Sequence, residues 1–74
     1  MNLQEIKKQL PTGAETEIGT IAQISSTTVK KVLMGIKAKP AIELKVLNAT
    51  AQYLKTYKEQ KAYALQELQA VAGL

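Results

Sequence analysis

Residues 41–72 contain neither glycine nor proline, and Pro40 stands at their head. Nothing else constrains this 74-residue chain so strongly. Proline suits the first turn of a helix, because its missing N–H would have no intrahelical partner there. Behind it Ile42, Val46, Leu47, Ala49, Thr50, Tyr53, Leu54 and Tyr57 recur at helical spacing. The stretch reads as one helix over 41–71, roughly 45 Å long at about 1.5 Å per residue. A chain of this size buries only about 60% of its unfolded surface. A domain this small cannot cover a rod of that length, so its far end is expected either to pair with another copy or to bend and fold back. The expected fold class is all-α, with four to five helices, a helix-turn-helix core and a long C-terminal helix.

The core of that arrangement is IGTIAQISSTTVKKVLMG, residues 18–35. Ile18, Ile21 and Ala22 set an apolar face on a helix ending near Ala22, and Gln23-Ile24 make the turn. Ser25 is the expected N-cap of the next helix, 26–34, since its hydroxyl can accept from a free backbone N–H. Gly35 closes that helix by reaching the left-handed conformation without strain. Val29, Val32 and Leu33 form the inward face. Ser26, Thr27, Lys30, Lys31 and Met34 form the outward one, suited to an anionic, hydrogen-bonding surface.

These residues resemble the DNA-binding headpiece of the lactose-repressor family, of lambda-repressor-like fold. That family reads roughly V-A-x-x-A-G-V-S-x-x-T-V-S-R-V-L-N-G, then K-V-L-x-A-x-x-x-L. Ile18, Ala22, Ile24, Ser25, Thr28, Val29, Val32, Leu33 and Gly35 match the first part; Lys45, Val46, Leu47 and Ala49 match the second, with Tyr53 or Leu54. About half the chain is covered. Gln23 replaces the family's turn glycine, Lys31 replaces its arginine, and the link from Gly35 to Lys45 is about one residue shorter. Neither the family's hinge nor its sugar-binding domain has a counterpart. The resemblance implies a helix-turn-helix whose second helix enters the major groove, with Ser26, Thr27 and Lys31 at the base-reading positions.

The flanking residues read simply. Leu3, Ile6 and Leu10 give helix one, 2–10, an apolar side, with Asn2 as its cap and Pro11 as its stop. Thr12 and Glu15 have capping-box spacing, so helix two is expected over 13–22. Gly19 inside it costs about 1 kcal/mol relative to alanine, and close helix packing is its expected reason. The connection IKAKP is basic, with Ile36 expected to turn inward.

Charge adds to this reading. The net charge is +4, and the five lysines between Ser25 and Lys45 face only Glu43, so that segment carries the whole excess. A basic patch beside an outward helix face is the footprint of a nucleic-acid binder. Lys30, Lys37 and Lys39, with the hydroxyls of Ser25 and Thr28, are the candidate phosphate contacts. The chain has no arginine, the residue of the commonest specific contact to guanine, so base reading must rest on lysine and hydroxyl groups.

Histidine, cysteine and aspartate are also absent. No thiolate, zinc-finger or triad chemistry is expected, nor a phosphate loop, and no base stands beside the Ser25–Thr28 hydroxyls. The chain is read as a non-enzyme with no catalytic residue, metal or cofactor and no small-molecule ligand. It shows no apolar run of membrane-spanning length and no secretory h-region, so a cytoplasmic or nucleoid location is expected.

Past Tyr57 the apolar pattern thins. Leu54, Lys61 and Leu68 are spaced by seven, with Tyr57, Ala64 and Val71 three residues after each, and Leu65 alongside. Two outcomes are open: the tail pairs with a second copy through Leu54, Tyr57, Ala64, Leu65, Leu68 and Val71, or it bends near Glu59-Gln60 and folds back. Pairing is favoured, because YKEQKAY holds no glycine or proline to make a bend. Residues 1–54 are then a DNA-binding domain and 55–74 a dimerisation extension. The expected function is a small sequence-specific regulator of phage, plasmid or transposon type, binding duplex DNA as a homodimer. A protein–protein adaptor and a non-specific DNA-packaging protein are the alternatives.

Overall fold

The computed structural model describes residues 3–73, which form four helices and, among the described residues, no strand. They are α1, Leu3–Gln9; α2, Ala14–Ala22; α3, Ser26–Leu33; and α4, Pro40–Ala72. The fold is all-α. The expected cap Asn2 lies outside the described residues.

Helix α4 dominates the shape. Its 33 residues run without a break through Glu59-Gln60, so the expected alternative of a bend there does not occur. At about 1.5 Å per residue the helix is about 50 Å long, and the molecule measures 50 × 23 × 17 Å. Helices α2 and α3 sit on its first half, and α1 packs against α3. Ala14 and Ile18 of α2, Val29, Val32 and Leu33 of α3, and Val46 and Ala49 of α4 form the buried core. Leu10, Ala22, Ile24, Ala38 and Tyr53 are packed around it. Thr50 is buried among them, and its hydroxyl donates to the Val46 carbonyl at 2.8 Å. That bond satisfies a polar group which would otherwise cost stability in an apolar setting. Every residue from Lys58 to Gly73 is exposed.

Local signals account for most of the boundaries. Ser25 is extended and its hydroxyl accepts from the Thr28 N–H at 3.3 Å, capping α3. Met34 ends that helix and Gly35 follows with φ 85°. Helix α4 opens on Pro40, with Lys39 at the N-cap position.

Three expectations are corrected. Thr12 is not the cap of α2: Gly13 holds that position with φ 85°, and no side chain caps the helix. The Ala14 N–H instead bonds the Pro11 carbonyl at 3.2 Å, closing a tight turn that needs a positive φ at Gly13 and carries Thr12 outward. Ile36 does not turn inward but is half exposed, because the connection runs over the surface. Ile21 was expected with Ile18 and Ala22 on the core face. It is 41% exposed, since α4 covers one side of it and the other opens on a cleft that no described residue fills.

Candidate nucleic-acid interface

Helices α2 and α3 are joined by Gln23, Ile24 and Ser25, and the corner is tight. The Ile24 N–H donates to the Gly19 carbonyl at 2.9 Å. Gln23 takes φ 60°, the one non-glycine residue with positive φ among those described. Left-handed backbone costs a side-chain-bearing residue about 1–2 kcal/mol. The turn is held because Gln23 closes α2 through its N–H to the Gly19 and Thr20 carbonyls. Ile24 meanwhile packs against the core.

The corner fixes how α3 is presented. Val29, Val32 and Leu33 are buried, which forces the opposite side outward. Ser26, Thr27, Lys30, Lys31 and Met34 are all exposed there, Met34 by 55%. The face has a cationic edge, hydroxyls at its N-terminal end and no acidic residue. Thr27 and Lys31 stand one turn apart. Ser25 and Thr28 sit at the helix start with their hydroxyl oxygens 3.0 Å apart, Thr28 half-buried and Ser25 exposed. Lys37 and Lys39 are exposed on the connection to α4.

Tertiary packing adds residues that linear spacing could not group. Gln23 shares a shallow groove with Ile21, Ala22, Lys45, Asn48, Ala49 and Gln52. Lys45 and Asn48 are exposed and lie beside the turn that launches α3. The sequence places Lys45 in the basic segment and in the second matched motif, but nothing in it sets Gln23 or Asn48 beside that lysine.

A larger cleft, about 630 Å³, opens where α2 leaves α4. Glu17, Thr20 and Ile21 form one wall; Gln52, Tyr53, Thr56, Tyr57 and Gln60 form the other. The Tyr53 and Tyr57 rings lie nearly parallel, 6° apart, with centroids separated by 6.2 Å. Desolvation raises the Tyr53 phenol above its ordinary pKa, and the Glu17 carboxylate, which accepts its hydrogen bond, raises it further.

Of the residues expected to mediate pairing, Leu54 and Tyr57 are half-buried, whereas Ala64, Leu65, Leu68 and Val71 are exposed. They lie on the continuation of the α4 face that bears Val46 and Thr50. Among the described residues no group of three or more His, Cys, Asp or Glu is placed to hold a metal ion, and no helix is long and apolar enough to cross a membrane. No protein-family model, curated protein or solved structure matches the chain.

Proposed function

We propose that this chain is a small DNA-binding regulator that lays α3 in the major groove and works as a homodimer joined through the second half of α4. The observation that carries the reading is the outward face of α3. Ser26, Thr27, Lys30 and Lys31 stand exposed on a helix that itself holds no acidic residue and whose other side is the core. In such motifs the N-terminal residues of the second helix meet base edges. Ser26, Thr27 and Lys31 are assigned that role, while Ser25, Thr28, Lys30, Lys37 and Lys39 contact phosphate. A helix N-terminus also favours anions through its free N–H groups. Without arginine, each base contact is weaker than a bidentate guanine contact, and the dimer compensates by doubling the contacts.

The test is selection of bound duplexes from a random pool, followed by affinities for selected and scrambled sequences at two salt concentrations. A regulator prefers the selected site by about 10³-fold or more. A ratio near one assigns the chain to non-specific packaging. The exposed Leu65, Leu68 and Val71 favour a second reading, a protein–protein adaptor. Negligible dependence of DNA binding on salt would support that reading instead.

A further inference from the structure

The cleft between α2 and α4 and the bare end of α4 are two unpartnered surfaces of one helix. We infer that in the homodimer each cleft receives Leu68 and Val71 of the second copy, making the end of α4 a docking arm rather than only one strand of a seam. This inference rests on the homodimer part of the reading above and not on DNA binding.

The end of α4 cannot turn back into the cleft of its own chain. Helix α4 is continuous from Tyr57, in the cleft wall, to Ala72. Val71 is fourteen residues past Tyr57 and so lies about 21 Å along the same rod. A second copy can reach it. Antiparallel pairing about a point between Ala62 and Tyr63 sets Tyr57 level with Leu68 of the other copy and Leu54 level with its Val71. Lys61 then lies level with Ala64, whose small side chain leaves room for the lysine stem to pass outward. The arrangement is isologous, so both clefts are filled at once by the same residues.

Exposure and area point the same way. Val71 is 88% exposed, Leu68 61% and Ile21 41%. Ile21 is apolar, lines the cleft and is left partly uncovered by the described residues of one chain. Two lone helices meeting over about 27 Å touch along a strip about 10 Å wide. That falls well short of the roughly 1,200 Å² total that stable specific interfaces bury. Seating the helix ends against Ile21, Tyr53 and Tyr57 extends the contact at both ends. Parallel pairing cannot do this, because it leaves the helix ends side by side, far from either cleft.

The chain has no cysteine, so engineered pairs report without background. Ile21→Cys and Val71→Cys are prepared as separate proteins, mixed at tens of micromolar without DNA and mildly oxidised. A covalent heterodimer is expected. Ile21→Cys mixed with Gln66→Cys, on the opposite side of α4, is expected to give none. As a second measurement, Ile21→Glu and Leu68→Asp each change an exposed side chain. Each should raise the dimer dissociation constant at least tenfold with helicity unchanged. A monomeric parent, equal cross-linking through Gln66, or a dimer indifferent to Ile21→Glu would overturn the inference. Loss of DNA preference with intact cross-linking would overturn the DNA reading alone.

Discussion

Gly19 and Ile24 touch backbone to backbone: a Cβ built on Gly19 would stand 2.5 Å from the Ile24 carbonyl oxygen. The obstacle is main chain, and Ile24 is also tied to Gly19 through its own N–H at 2.9 Å. Gly19→Ala would gain about 1 kcal/mol of helix propensity but force the corner open, an overpacking cost of about 1–3 kcal/mol or more. A net loss of stability is expected in urea or thermal unfolding. DNA binding should weaken with it, because the same corner aims α3. A variant as stable as the parent would show that the corner yields easily.

Gln23 makes the converse prediction. It holds φ 60° without being glycine. Gln23→Gly should relieve that strain and stabilise the chain by about 0.5–1 kcal/mol after the added freedom of the unfolded state is subtracted. In a domain this small such a gain raises Tm by several degrees. Differential scanning calorimetry on the pair of proteins measures it.

Thr27→Ala and Lys31→Ala alter exposed positions on the outward face of α3, so the fold should be unchanged. Each should lower preference for a selected site, by about 1–3 kcal/mol for a strong contact. Lys37→Gln and Lys39→Gln should behave differently. They should weaken selected and random duplexes alike and reduce the salt slope by about one per phosphate contact. Titrations at several salt concentrations separate the two patterns.

The Tyr53–Glu17 pair makes the alkaline limb of stability informative. The folded phenol has its pKa raised above the ordinary tyrosine value of about 10, chiefly by desolvation and then by Glu17. The folded state therefore holds this proton more tightly than the unfolded one. Its contribution is complete below about pH 10 and is lost as pH rises through the folded pKa. Tyr53→Phe should flatten this part of the decline in stability above pH 10 relative to the parent. Unfolding midpoints at pH 7, 9, 10 and 11 test it, and identical alkaline slopes would refute the assignment.

The fold was legible because its boundaries come from short-range chemistry. Pro40 opens α4, Ser25 caps α3 and Gly35 follows it, each within a residue or two of where composition and spacing put them. What escaped depends on neighbours distant in sequence. Helical spacing assigns Ile21 to an apolar face, but only the path of α4 decides that no element covers it. Thr12 and Glu15 had the spacing of a capping box, yet the glycine between them shifted the cap by one residue. Exposure of the lysines and hydroxyls on α3 followed directly from Val29, Val32 and Leu33 being apolar. The groove joining Gln23 to Lys45 and Asn48 did not, since it exists only once α2 lies on α4.

An unbroken α4 also means that its two ends share one rotational phase. The first half of the helix is fixed by Val46, Ala49 and Thr50 in the core, so the second half has no independent orientation. Inserting one residue after Lys58 would turn Leu68 and Val71 by about 100° around the rod without disturbing a single core contact. Seven residues would nearly restore the angle, leaving it about 20° short of two full turns. Length changes in this segment are therefore tolerated in steps: a chain lengthened by one residue would fold as before but turn its apolar stripe away from its present direction.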